Sequence, residues 1–224
     1  MKKKYSILLL MICVILLVTV SVLGTLSYLT SNDVVTNTFT VGSVRISLDE
    51  AAVDADGNFK SDHNQRVKGN EYKLIPGHTY HKDPTVTVNA GSEAAYVRMI
   101  VAVERIDQMK HALPYSVGSE YYDGETFLFQ KLCGNWDPNI WQFNGYKEDG
   151  RTGYYEFRYK EVVPKKENAT VLKDLFETIT IPGVIDNDSL SYLANVKIVV
   201  TAHAIQADGF DNADLAWSAF GEWF

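Results

Sequence analysis

The sequence predicts an all-β domain, a sandwich of two antiparallel sheets with a few short helices, behind an N-terminal signal helix. Three observations predict it. Apolar and polar residues alternate with period two over most of the chain, in stretches rich in β-branched and aromatic residues. Helical periodicity is confined to short segments. The chain opens with lysines ahead of an apolar run, the pattern of a membrane-targeting segment.

Lys2, Lys3 and Lys4 precede a 17-residue apolar run from Ile7 to Leu23, with Thr19 and Ser21 inside it. The basic end stays in the cytoplasm while the apolar segment enters the bilayer, so everything after it is expected outside the cell. Thr25 and Ser27 form the small-x-small pattern that a signal peptidase reads, and no basic stop-transfer cluster follows. Cleavage is therefore expected between Ser27 and Tyr28 rather than retention as an anchor. Cys13 follows the bulky Ile12, which is wrong for a lipid-attachment site. The expected divisions are residues 1–27 as signal peptide, 28–42 as an N-terminal segment and 43–224 as the β domain.

The strands follow in order. Val44, Ile46 and Leu48 alternate with Arg45 and Ser47, and Val86 and Val88 alternate with Thr85 and Thr87. Val97, Met99, Val101 and Val103 make one face of a strand whose other face is Tyr96, Arg98, Ile100 and Ala102. A strand apolar on both faces belongs in the middle of a sandwich. Tyr155, Phe157 and Tyr159 alternate with Glu156, Arg158 and Lys160, which predicts a strand on the outside. Val196, Ile198, Val200, Ala202 and Ala204 form the apolar face of a last strand. Residues 50–70 are polar, without periodicity, and read as an exposed insertion. A short helix is expected over Glu125–Leu132, and Val171–Phe176 is ambiguous. Asp211 or Asn212 can cap a C-terminal helix carrying Ala213, Ala216, Trp217, Phe220 and Trp223 on one side.

Composition narrows the function classes. Removing residues 1–27 takes away three lysines and no acids, leaving 18 basic and 28 acidic residues, a net charge of −10. Such a chain repels nucleic acid, and it has no basic patch for anionic lipid. The remaining 197 residues suit one domain with a substantial core. Only Cys133 remains after cleavage, so packing rather than disulfides must hold the fold.

No catalytic set stands out, and no cofactor or metal is expected. His-Glu-x-x-His is absent, and the nearest approach, His78-Thr79-Tyr80-His81, puts its two rings on opposite faces of a strand. His203 reads as a hydrogen-bonded sheet residue and Cys133 as a buried small hydrophobe. Asp54-Ala55-Asp56-Gly57-Asn58 has the look of a calcium loop, but its glycine is misplaced and Gln65 stands where the closing Glu belongs, so a turn is expected. Asp208, Asp211 and Asp214 sit where a helix start needs them. Trp136, Trp141, Phe143 and Tyr146 read either as core or as a platform for stacking sugar rings.

Gly24-Thr25-Leu26-Ser27-Tyr28-Leu29-Thr30-Ser31, followed by Asn37-Thr38-Phe39-Thr40-Val41-Gly42-Ser43-Val44, resembles the signal peptide and first strand of the TasA/camelysin family. Leu74-Ile75-Pro76-Gly77, Val86–Ser92, Ala95–Arg98 and Ala204–Phe210 carry the likeness further; residues 106–165 do not share it. These are secreted biofilm matrix proteins of Gram-positive bacteria, processed by a SipW-type signal peptidase. The resemblance implies a jelly-roll form of the sandwich, that peptidase as a partner, and assembly into extracellular fibres. The camelysin branch is described as metallopeptidase-like.

Three functions follow as expectations. The first is a secreted, non-enzymatic structural subunit of the extracellular matrix or cell surface, with copies of itself and other matrix components as partners. The others are a surface polysaccharide-binding module and a camelysin-like metallopeptidase. For the first, the candidate donor strand is the segment from Tyr28 to Thr38, with Leu29, Val34, Val35, Thr36 and Thr38 suited to pairing and neither proline nor glycine in it. Membrane contact is expected only through the signal peptide. N-terminal sequencing of secreted protein is expected to begin at Tyr28; protein found only in membranes with residues 1–27 intact would contradict this reading.

Overall fold

The computed structural model describes residues 5, 10–19, 42–60, 64–113 and 131–221. Met1–Val41 and Gly42–Phe224 form two compact units. In the first, residues 10–19 are helical and exposed. Among the described residues no helix is long and apolar enough to cross a membrane. Ser27 and Tyr28 at the expected cleavage site lie outside the described residues, as do the donor-strand candidates Leu29, Val34, Val35, Thr36 and Thr38. So does most of the expected helix over 125–132.

The second unit is mostly β, as the alternation predicts, with its strands in three antiparallel sheets. The first runs β2 (Arg66–Val67), β1 (Ile46–Ala51), β4 (Thr85–Val88), β9 (Thr170–Val171). The second runs β3 (Thr79–His81), β10 (Thr178–Thr180), β6 (Cys133–Gly134). The third runs β11 (Lys197–Gln206), β5 (Ala95–Glu104), β8 (Thr152–Tyr159), β7 (Trp141–Asp149). The expected two sheets are three because β3, β10 and β6 are only two or three residues long. Pro76-Gly77 and Pro182-Gly183 flank two of these short strands and break the ladder there.

One apolar core is shared by all three sheets. It includes Tyr80 from β3, Val86 and Val88 from β4, Cys133 from β6 and Ile179 from β10, against Val97, Met99, Val101 and Val103 of β5 and Tyr155 and Phe157 of β8. Strand β5 is the middle strand its two apolar faces predict. It pairs with β11 over ten residues, from Ala95↔Gln206 to Glu104↔Lys197, and with β8 from Arg98↔Arg158 to Glu104↔Thr152.

Strand β8 corrects the expectation of an outer strand. It is flanked on both sides, and Glu156 on its polar face is 1% exposed. Alternation with charged residues signals a second face of different chemistry; here a helix covers that face instead of water.

Strand β7 keeps its rings on the core through a bulge. Phe143 pairs with Phe157 and Tyr146 with Tyr155, with the register shift falling between Phe143 and Gly145. Three residues apart on a regular strand, Phe143 and Tyr146 would face opposite ways; the extra residue brings both to the core side. Gly145 takes φ 151°, a conformation that side chains resist.

Three helices lie wholly among the described residues of the unit: α1 (Ile106–Ala112), α2 (Asn187–Leu193) and α3 (Ala213–Phe220). The Asn212 side chain caps α3 by accepting from the Leu215 N–H at 3.0 Å, and Ala216 and Trp217 are its buried residues. Periodicity does not announce α1 and α2, which are seven residues each. Asp186 caps α2 by accepting from Ser189 N–H at 2.8 Å. The 50–70 segment is not a plain exposed insertion. Glu50, Ala51, Ala52 and Val53 are buried, Val53 bridges to Phe59, and β2 pairs with the end of β1. It folds back because Gly57, at φ 79°, lies so close to Tyr80 that a Cβ would sit 2.7 Å from the Tyr80 Cα.

A Cβ at Gly145 meets nothing within 4 Å, so replacement there acts on the backbone alone. Gly145→Ala is expected to lower unfolding free energy by about 1–3 kcal/mol in denaturant titration. An unchanged midpoint would show that the bulge relaxes freely.

Candidate functional site

Two adjoining cavities line one side of the second unit. One, of about 830 Å³, lies among β3, β10, α2 and the start of β11, with Tyr72, Leu74, Ile181, Leu190 and Val196 in its wall. The other, of about 280 Å³, lies between Leu48–Glu50 of β1 and Ile198–Val200 of β11. Asn70, Lys82, Ile198 and Val199 line both, so the two make one groove with a mainly apolar floor.

Sheet edges bound this groove. Among the described residues β11 pairs only with β5, and β1 pairs with β2 only at Glu50 and Ala51. Strands β1 and β11 come close without forming a ladder among the described residues. On β1 the Leu48 carbonyl accepts from Lys68 Nζ at 2.6 Å. On β11 Val199 is 42% exposed. An edge of this kind offers unpaired N–H and C=O groups to an incoming extended segment.

The junction of the cavities is polar. Glu50 and Lys82 are buried and paired at 2.5 Å, and Asn70 donates to the other Glu50 oxygen at 2.9 Å. Burial first, then the Glu50 charge, raise the Tyr72 phenol above its ordinary pKa, so it remains a donor, to the His81 carbonyl at 3.0 Å.

A second polar cluster lies under α3. Arg98 is 1% exposed, pairs with Glu156 at 3.3 Å, and stands 4.4 Å from the Trp217 ring and 4.9 Å from the Phe220 ring. Glu156 also accepts from Arg158 at 3.0 Å and from Asn144 at 2.7 Å, and Arg158 reaches Asp214 of α3 at 2.6 Å. Arg98 Nε donates to His203 Nδ1 at 3.3 Å, which requires an unprotonated nitrogen there. Burial first, then the Arg98 charge, depress the His203 pKa, in keeping with a neutral ring. The cluster fastens α3 to the sheet; two guanidinium groups, Arg98 and Arg158, are balanced by two carboxylates, Glu156 and Asp214, while Arg98 Nη2 is buried without a hydrogen-bond partner.

The residues singled out in the sequence fall in separate places. His78 Nε2 lies 2.7 Å from the Asp56 carbonyl and its ring packs on Tyr80, while His81 packs on Phe59. Asp54 Oδ1 accepts from the N–H groups of Asp56 and Asn58, at 3.0 and 2.9 Å, and so closes a turn. Cys133 is buried in β6, and desolvation raises its pKa. Among the described residues no group of three or more His, Cys, Asp or Glu is placed to hold a metal. The aromatic cluster belongs to the core side: Trp141 is fully buried and donates to the Lys173 carbonyl at 2.9 Å, and Trp136 and Phe143 pack on Phe157. Sequence reasoning missed Glu50, Asn70, Lys82, Arg98 and Glu156. The one signal available was Arg98, a charge set in an apolar strand.

No family model matches the chain, and no curated protein or solved structure does.

Removing one member of a buried ion pair strands the other charges. Glu156→Gln is expected to cost about 3–5 kcal/mol of unfolding free energy in denaturant titration. Asp107→Asn, which loosens the exposed Arg151 pair at 2.5 Å, is expected to stay near wild type. Equal losses in the two variants would refute the distinction.

Proposed function

We propose that this chain is a secreted, non-enzymatic structural subunit of an extracellular matrix, assembled into fibres by strand donation. Residues 28–38 of one copy enter the groove between β1 and β11 of the next. The observation that carries this reading is the edge of β11, unpaired among the described residues, beside the edge of β1 over an apolar groove.

The chemistry of the two parts agrees. The groove offers backbone donors and acceptors along its edges and apolar walls for alternate side chains. The segment offers Leu29, Val34, Val35, Thr36 and Thr38, residue types suited to strand pairing, in a proline-free run. Each contact is head-to-tail and does not close on itself, so it grows a filament. Cleavage before Tyr28 by a SipW-type signal peptidase frees the donor, because the uncleaved chain stays tethered at the membrane. The likeness of Gly24–Ser31 and Asn37–Val44 to the TasA/camelysin pattern supports the same reading. A sugar-binding reading draws less support, since Trp136, Trp141, Phe143 and Tyr146 pack with the core.

Deleting residues 28–36 from the mature protein is expected to leave a folded monomer by circular dichroism and sedimentation, with no fibres in electron micrographs. Fibres like those of the parent protein would overturn strand donation.

A further inference from the structure

Glu50, Asn70 and Lys82 come from three separate stretches: the end of β1, the connection after β2 and the residue following β3. They meet where the two cavities join. Glu50 is 5% exposed and Lys82 9%. Lys82 Nζ donates to Glu50 Oε2 at 2.5 Å, and Asn70 Nδ2 donates to Glu50 Oε1 at 2.9 Å. One carboxylate thus binds an amine on one oxygen and a carboxamide on the other. The amide is oriented further: Nδ2 also donates to the Ala51 carbonyl at 2.8 Å, and the Val53 N–H donates to Asn70 Oδ1 at 3.0 Å.

This arrangement has the parts of an acyl transfer. Lys82 is a nucleophile, and its partner carboxylate can take its proton. The Asn70 carbonyl is polarised by a fixed backbone N–H, which also faces the charge that develops on Oδ1 during attack. Holding both groups on one carboxylate removes most of the entropic cost of bringing them together.

We propose that Lys82 and Asn70 join in a spontaneous intramolecular amide cross-link, with Glu50 as the proton carrier. Lys82 passes a proton to Glu50, and its free amine attacks Asn70 Cγ, forming the Nζ–Cγ bond. The carbonyl electron pair moves to Oδ1, where the Val53 N–H holds it. Glu50 delivers its proton to Nδ2 and takes up the second proton from Nζ. The Oδ1 electrons re-form the carbonyl, the Cγ–Nδ2 bond breaks, and nitrogen leaves as ammonia, which takes the second proton from Glu50, restoring its carboxylate, and departs as ammonium. Nothing is oxidised or reduced, and no co-reactant is consumed. The bond ties the connection after β2 to the end of β3, a covalent staple in a chain whose mature form has only Cys133. It stands independently of the fibre reading.

The test is the intact mass of the full-length secreted protein, with its N-terminus determined, beside a Lys82→Arg variant prepared the same way. Wild type is expected to be lighter than its sequence by one ammonia, and its tryptic digest to hold a branched peptide joining Asn70 to Lys82. Lys82→Arg, which keeps the charge without a primary amine, is expected at its full sequence mass. A wild-type mass equal to the sequence overturns the proposal. So does ammonia loss confined to Asn70, as a succinimide, with no branched peptide. A folded Glu50→Gln variant that still cross-links to the wild-type extent would remove Glu50 from the role of proton carrier.

Discussion

Strand β5 is buried on its core face and largely covered on the other, and it is paired along both edges, so its neighbours have little freedom. Val97, Met99, Val101 and Val103 on the core side are each 0% exposed. Their burial requires a second layer, which the two smaller sheets supply through Tyr80, Val86, Val88 and Ile179. On the other side Arg98 stands in the same strand, and a lone guanidinium there would face a severe desolvation penalty. Glu156 from β8 answers it, and α3 lays Trp217 and Phe220 over it. The helix is therefore a consequence of one charge in the central strand, and the bulge in β7 serves the same layer by delivering Asn144 to Glu156 while both neighbouring rings stay on the core.

The opposite end of that sheet is organised differently. Strand β7 closes one edge of it, while β11, at the other, meets β1 over a groove with no ladder between them among the described residues. Natural sheets usually blunt an open edge with charge, proline or cover. Lys68 does this at one carbonyl of β1, but Val196, Ile198 and Val199 line an apolar wall. An edge prepared in this way is a liability for a monomer and an asset for a polymer, and that contrast is the physical basis of the assembly proposed for this chain. The Glu50–Asn70–Lys82 cluster sits at the same groove.

Much of this was legible in the residues. Alternation locates β1, β4, β5, β8 and β11, and Asp211 or Asn212 marks the start of α3, where the structure makes Asn212 the cap. The reasons for the misses are physical. Alternating Glu156 and Arg158 looks the same whether the polar face meets water or a helix, so β8 was expected outside. A bulge erases the period on which strand reading depends, which hid the shared face of Phe143 and Tyr146. Helices α1 and α2 complete too few turns to show a stripe. Glu50, Asn70 and Lys82 are brought together by tertiary folding alone, and no local pattern announces such a meeting.

The central claim is that a neighbour's N-terminal segment lies along β11, and disulfide trapping tests it most directly. One preparation carries Val35→Cys, the other Val199→Cys, and the two are mixed, allowed to polymerise and oxidised. The account predicts a disulfide linking the two preparations, found in polymers and absent from dilute monomer, with buried Cys133 taking no part. Polymers that form without that link, at these positions or with Val34→Cys in place of Val35→Cys, would contradict it.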